Sequence, residues 1–147
     1  MTADQTLAML QEQLDCYKRL AKLAGTQHEH VQNSRTEELL TVLTQRQEVI
    51  DQLARLEEII APVKKEWNDY LGTLPADDRD RAAKVMEESR RLLEQITNND
   101  KDDAMVLQQR KFRLGREINQ ASSARQFNRS YAAAAYARPK TAVDVQR

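Results

Sequence analysis

Residues 37–63, EELLTVLTQRQEVIDQLARLEEIIAPV, decide the fold class. Their apolar side chains fall at Leu39, Val42, Val49, Leu53, Leu56, Ile60 and Val63, three or four apart except where Arg46 interrupts. Leu43, Ile50 and Ile59 widen the same stripe. One apolar face on a 3.6-residue period is a helical seam. The other side carries Gln45, Gln47, Glu48, Asp51, Gln52, Arg55 and Glu58. A lone helix would leave its stripe in water, and helices in proteins are held mainly by packing that face, so a second helix has to cover it. At about 1.5 Å per residue the stretch is a rod of about 40 Å, too long for the middle of a small globule.

Composition agrees with elongated helices. The chain has 147 residues but only three glycines and three prolines, so loops are few. Charged residues make up 31% and aromatics 5%, which favours a line of aliphatic side chains over an aromatic centre. Net charge is zero, yet residues 119–147 hold five Lys and Arg against one acid. That tail lacks the dense basic clusters of a nucleic-acid arm, so no nucleic-acid partner is expected. The single cysteine, Cys16, has no internal disulfide partner. No apolar run reaches the 18 or so residues of a membrane span, and the acidic N-terminus is unlike a secretory signal, so the expected location is cytoplasmic with no membrane insertion.

Upstream, Leu7, Leu10, Leu14, Tyr17, Ala21, Ala24, His28 and Val31 form a three-four alternation, with Asp4 as the expected N-cap. The stripe then slips by eleven residues between His28 and Leu39. Two readings compete there. Ser34-x-x-Glu37 has the form of a capping box that would start a new helix. The absence of Pro or a turn dipeptide favours one long helix over about 4–71, bent near residues 25–34. Pro62 is expected to kink it, and Trp67 to close its end.

The clearest turn is Leu71-Gly72-Thr73-Leu74-Pro75, placing a reversal at about 72–76. A return helix over about 77–118 follows, with Asp77, Asp78 and Asp80 at its positive end and a seam at Ala82, Val85, Ser89, Leu92 and Ile96. Residues 97–103 are polar throughout but contain no Gly or Pro, so continuity is expected, with the polar patch turned toward the slipped region of the partner helix. The expected fold is all-α: a long antiparallel, coiled-coil-like helical hairpin over 1–118, with room for a third short helix. Residues 119–147 are read as fraying helix to about 135 and then a flexible C-terminal tail.

Chemistry finds little support. His28 and His30 lie two apart, roughly 200° around a helix, and cannot chelate one ion together. Glu57-Glu58, Glu87-Glu88 and Asp102-Asp103 read as solvated helix faces. No phosphate loop, nucleophile elbow or CxxC is present. The chain is expected to need no cofactor or metal and to catalyse no reaction.

The motif LxxQLxxYxxLxxLAxxQ at residues 10–27, followed by ELLxxLxxRQxxIxxLxxLE at 38–57, a helical return arm and a Tyr-bearing tail, resembles the FlgN-type flagellar export chaperones. The resemblance implies a protein that binds flagellar hook-filament junction (hook-associated) proteins and hands them to the type III export apparatus, whose ATPase or gate would be further partners. It also implies cargo contacts in the C-terminal part, here residues 107–136. By helix-in-groove recognition the contact residues would be Leu107, Leu114 and Ile118, with Phe127, Tyr131 and Tyr136 ordering on cargo. Alternatively, Leu107, Leu114 and Ile118 close the seam and the tail aromatics are silent. A coiled-coil scaffold, a homodimer through the widened seam, and a regulator that sequesters another protein also fit the pattern.

Overall fold

The computed structural model describes the backbone of residues 1–136 and the side chains of residues 1–126 and of Arg129. The described residues form four helices and no strand: α1 (Ala3–Gln32), α2 (Thr36–Lys65), α3 (Trp67–Gly72) and α4 (Ala76–Tyr136). The all-α expectation holds. The single helix over 4–71 does not, because the chain reverses between α1 and α2.

The reversal is made at residues 33–35. Ser34 has φ 55°, the left-handed conformation. The Arg35 amide donates to the His30 carbonyl (2.9 Å) and the Ser34 amide to the Val31 carbonyl (3.3 Å). This pair of bonds is a Schellman ending, which satisfies carbonyls that α1 would otherwise leave without donors. Ser34 therefore ends a helix and does not cap the next one. Arg35 holds the N-cap position of α2, with no side-chain hydrogen bond. At the other end of α1 the N-cap is Thr2, not Asp4: its hydroxyl accepts from the Gln5 amide, and the Gln5 side chain accepts from the Thr2 amide. Asp4 sits in the first turn, where its charge complements the helix dipole.

Contacts divide the chain into residues 1–104 and 105–147. This boundary lies earlier than the one at 118 expected from the pattern. In the first unit α1 and α2 run antiparallel, as the cross-links Gln13 to Glu57, Arg19 to Gln52 and Gln27 to Arg46 require. The early part of α4 runs parallel to α1, through Lys18 to Glu88 and Gln27 to Asp103. The unit is thus an up-down-up bundle of three helices, where the sequence pattern suggested two long ones.

Its core lies on the seam residues. Leu10, Leu14, Cys16, Leu20 and Ala24 from α1 pack with Val49, Leu56 and Ile60 from α2 and with Val85 and Ile96 from α4. A second cluster, Leu7, Leu74 and Ala82, closes the other end under Trp67, Tyr70 and Leu71. The rings of Trp67 and Tyr70 lie 5.4 Å apart. Trp67 packs against both clusters, as expected of a residue closing the end of the bundle. Pro62 sits inside α2, which ends three residues later at Lys65. Glu66 then leads into α3, and Gly72, Thr73 and Pro75 make the expected turn into α4.

Beside the core, Gln13 and Lys64 both donate to Glu57 at 2.7 Å. The Lys64 hydrogen bond holds the Glu57 carboxyl below its usual range. Leu43, Ile50 and Ile59, which seemed to widen the α2 seam, are exposed on its flanks.

Five polar residues, Gln27, His28, Arg46, Asp100 and Asp103, form a layer across the bundle. Arg46, only 9% exposed, donates from Nη1 and Nη2 to Asp100 Oδ1 and Oδ2 at 2.7 and 2.9 Å, and also to the Gln27 side-chain oxygen. Gln27 Nε2 donates to Asp103 Oδ2 at 3.1 Å. His28 Nδ1 lies 2.7 Å from Asp103 Oδ1. Asp103 is 1% exposed, so it is not part of a solvated face. His30 is half-buried. The polar run 97–103 stays helical, and it turns inward toward Gln27, His28 and Arg46 rather than toward residues 31–39.

Candidate protein-binding surface

In the second unit α4 continues as helix through Tyr136. The backbone is helical over residues 119–136, and residues 137–147 lie outside the described ones. Leu107, Leu114 and Ile118 are spaced seven and four apart, so they share one face of this helix. They are 42%, 57% and 57% exposed. None of the three is a seam residue, so the alternative that they close a hairpin is set aside.

The apolar surface is broader than this trio. Phe112 is 72% exposed and Met105 is also exposed, and both lie on the opposite side of the same turns. Leu107, Lys111, Phe112, Gly115 and Asn119 line a shallow open concavity on this helix. A Cβ at Gly115 would meet nothing within 4 Å, so the missing side chain leaves the floor of the concavity open. Between residues 105 and 126 the basic residues Arg110, Lys111, Arg113, Arg116 and Arg125 stand against the single acid Glu117. Of these, Arg110 and Lys111, three and four residues after Leu107, flank the strip.

Phe112 and Lys111 belong to the surface but were not chosen from the sequence. The exposure of Phe112 depends on what packs there, which spacing does not encode. The backbone of Phe127, Tyr131 and Tyr136 lies in α4, while their side chains lie outside the described residues.

The first unit also exposes Leu40, Leu43 and Ile50 on α2 and Leu93 on α4. No helix among the described residues is long and apolar enough to cross a membrane. Among the described residues no group of three or more His, Cys, Asp or Glu is placed to hold a metal ion.

A helix that presents large apolar side chains to solvent is a candidate surface for binding other proteins. The chain belongs to the family described as Flagellar protein FliT, whose family model matches residues 14–133, more than four fifths of its length. FliT is a flagellar export chaperone family. The resemblance read from the sequence therefore reached the flagellar chaperones but named the FlgN type where the family is FliT. Leucine spacing on long helices is common to any helical chaperone, so it carried the class and not the branch. No curated protein and no solved structure gives a match.

Proposed function

We propose that this chain is a cytoplasmic export chaperone that holds an amphipathic helical segment of a flagellar hook-associated protein, the filament cap included, until the type III apparatus takes it. The observation that carries this reading is the exposed strip of Leu107, Leu114 and Ile118. A client helix with apolar residues at i, i+3, i+4 and i+7 buries that strip, and acidic residues on its flanks meet Arg110, Lys111 and Arg113. Covering the strip shields the apolar face of the client from aggregation during its wait. The export ATPase or gate is the receiving partner. On this reading Phe127, Tyr131 and Tyr136, whose backbone continues α4, are further client contacts.

The test is calorimetric titration of the full chain with a purified hook-associated or cap protein, beside the double variant Tyr131→Ala and Tyr136→Ala. The reading expects saturable binding, and a loss of affinity in the variant with helicity unchanged. No binding of any hook-associated or cap protein overturns the reading, and equal affinities overturn the role of the two tyrosines.

A further inference from the structure

The polar layer has a mechanical consequence. On α4 the buried apolar positions of the first unit end at Ile96. The next eight residues, TNNDKDDA at 97–104, include no apolar side chain larger than Ala104. Those that turn inward are Asn99 and Asp100, both half-buried, and Asp103, which is buried. Val31 and Val42, buried beyond the layer, belong to α1 and α2. Separating residues 97–104 from α1 and α2 thus uncovers almost no apolar surface on α4. On α4 itself, what holds residues 97–104 is a set of hydrogen bonds and an ion pair that water can replace. Along residues 82–96, by contrast, Ala82, Val85 and Ile96 are held by apolar burial that water cannot replace.

We propose that Gln27, His28, Arg46, Asp100 and Asp103 form a release latch, which holds residues 97–104 against α1 and α2 while letting them open as one unit with the apolar core still closed. The contacts of Asp100 and His28 are of the kind that salt or a competing charge weakens, since the Asp100 side chain is 39% exposed and that of His28 is 40% exposed. The five residues act together. Arg46 bridges Gln27 and Asp100, and Gln27 in turn bridges Arg46 and Asp103, so loss of one contact leaves the others with unpaired polar atoms. Local opening of this sort is the normal behaviour of segments poor in apolar contacts.

Residue-resolved hydrogen exchange on the full chain tests the latch, at low salt and at about 1 M salt, where screening falls to a few ångströms. The amides of residues 97–104 are expected to exchange at least tenfold faster than those of residues 82–96, and to accelerate with salt while 82–96 do not. Asp103→Asn keeps the shape and removes the charge, and is expected to speed exchange at 97–104 tenfold or more with no change at 82–96. The double variant Arg46→Met with Asp100→Leu replaces the ion pair by apolar packing, and is expected to slow opening at 97–104 and to abolish its salt dependence. If 97–104 and 82–96 exchange together in the unaltered chain, whatever the salt, the end of the bundle is not a separate unit and the latch does not exist. If Asp103→Asn fails to fold, the double variant decides: opening that stays salt-dependent in it contradicts the proposal.

Discussion

The guanidinium of Arg46 on α2 meets the carboxylate of Asp100 on α4 at two points, 2.7 and 2.9 Å apart. Asp100 holds the Arg46 charge more firmly than usual, through that hydrogen bond first and despite partial burial. Removing the arginine leaves Gln27 and Asp100 without it. Arg46→Ala is expected to destabilise the bundle by about 2–3 kcal/mol in urea unfolding, less than a fully buried pair because Asp100 is partly solvated. A smaller loss for Arg46→Met than for Arg46→Ala is also expected, since Met refills the volume.

Ser34 makes the chain reverse, at a conformation that costs an L-residue roughly 1–2 kcal/mol. Ser34→Gly removes the clash but adds freedom to the unfolded chain, so a net gain of about 0.5–1 kcal/mol is expected. Ser34→Val, β-branched, is expected to destabilise. Thermal unfolding of the two variants checks the pair, and a loss of stability in Ser34→Gly contradicts the Schellman ending.

Core and strip residues of the same type are expected to behave oppositely. Ile60 has no exposed surface, and Ile60→Ala leaves a cavity costing about 3 kcal/mol. Leu114→Ala touches little and is expected to change stability by less than about 0.5 kcal/mol. Equal losses from the two in urea unfolding would mean that Leu114 is packed.

Acid acts through Glu57. Its carboxyl titrates lower in the fold than in the unfolded chain because Lys64 donates to it. The stabilisation is therefore fully present above the unfolded value and is lost as pH falls through the folded one. The Glu57 side chain is 47% exposed, so screening keeps the effect below about 1 kcal/mol. Glu57→Gln is expected to flatten the fall of stability below about pH 4.5, measured by urea unfolding at several pH values.

The seam and one turn were legible in the sequence, because apolar spacing and the Gly72 to Pro75 run encode them directly. The second turn was not. Ser34 takes the left-handed conformation without being the Gly or Asn that usually signals it, and the Ser34-x-x-Glu37 pattern suggests a helix start rather than the Schellman ending found there. Counting only apolar residues also hid the polar layer: Arg46 looked like a gap and Asp103 like surface, whereas each is buried against the other helices. Leu107, Leu114 and Ile118 could be picked out by spacing, but spacing does not say whether a face is covered. Their exposure comes from the fold.

The most direct measurement of the central claim is the affinity of the full chain for the terminal helical segment of a hook-associated or cap protein, with and without Leu107→Asp and Leu114→Asp. Each lost apolar anchor is worth about 1–2 kcal/mol, so the double variant is expected to bind at least about tenfold more weakly with unchanged helicity and melting temperature. Undiminished affinity in a folded double variant would contradict the account and move the binding surface away from this helix.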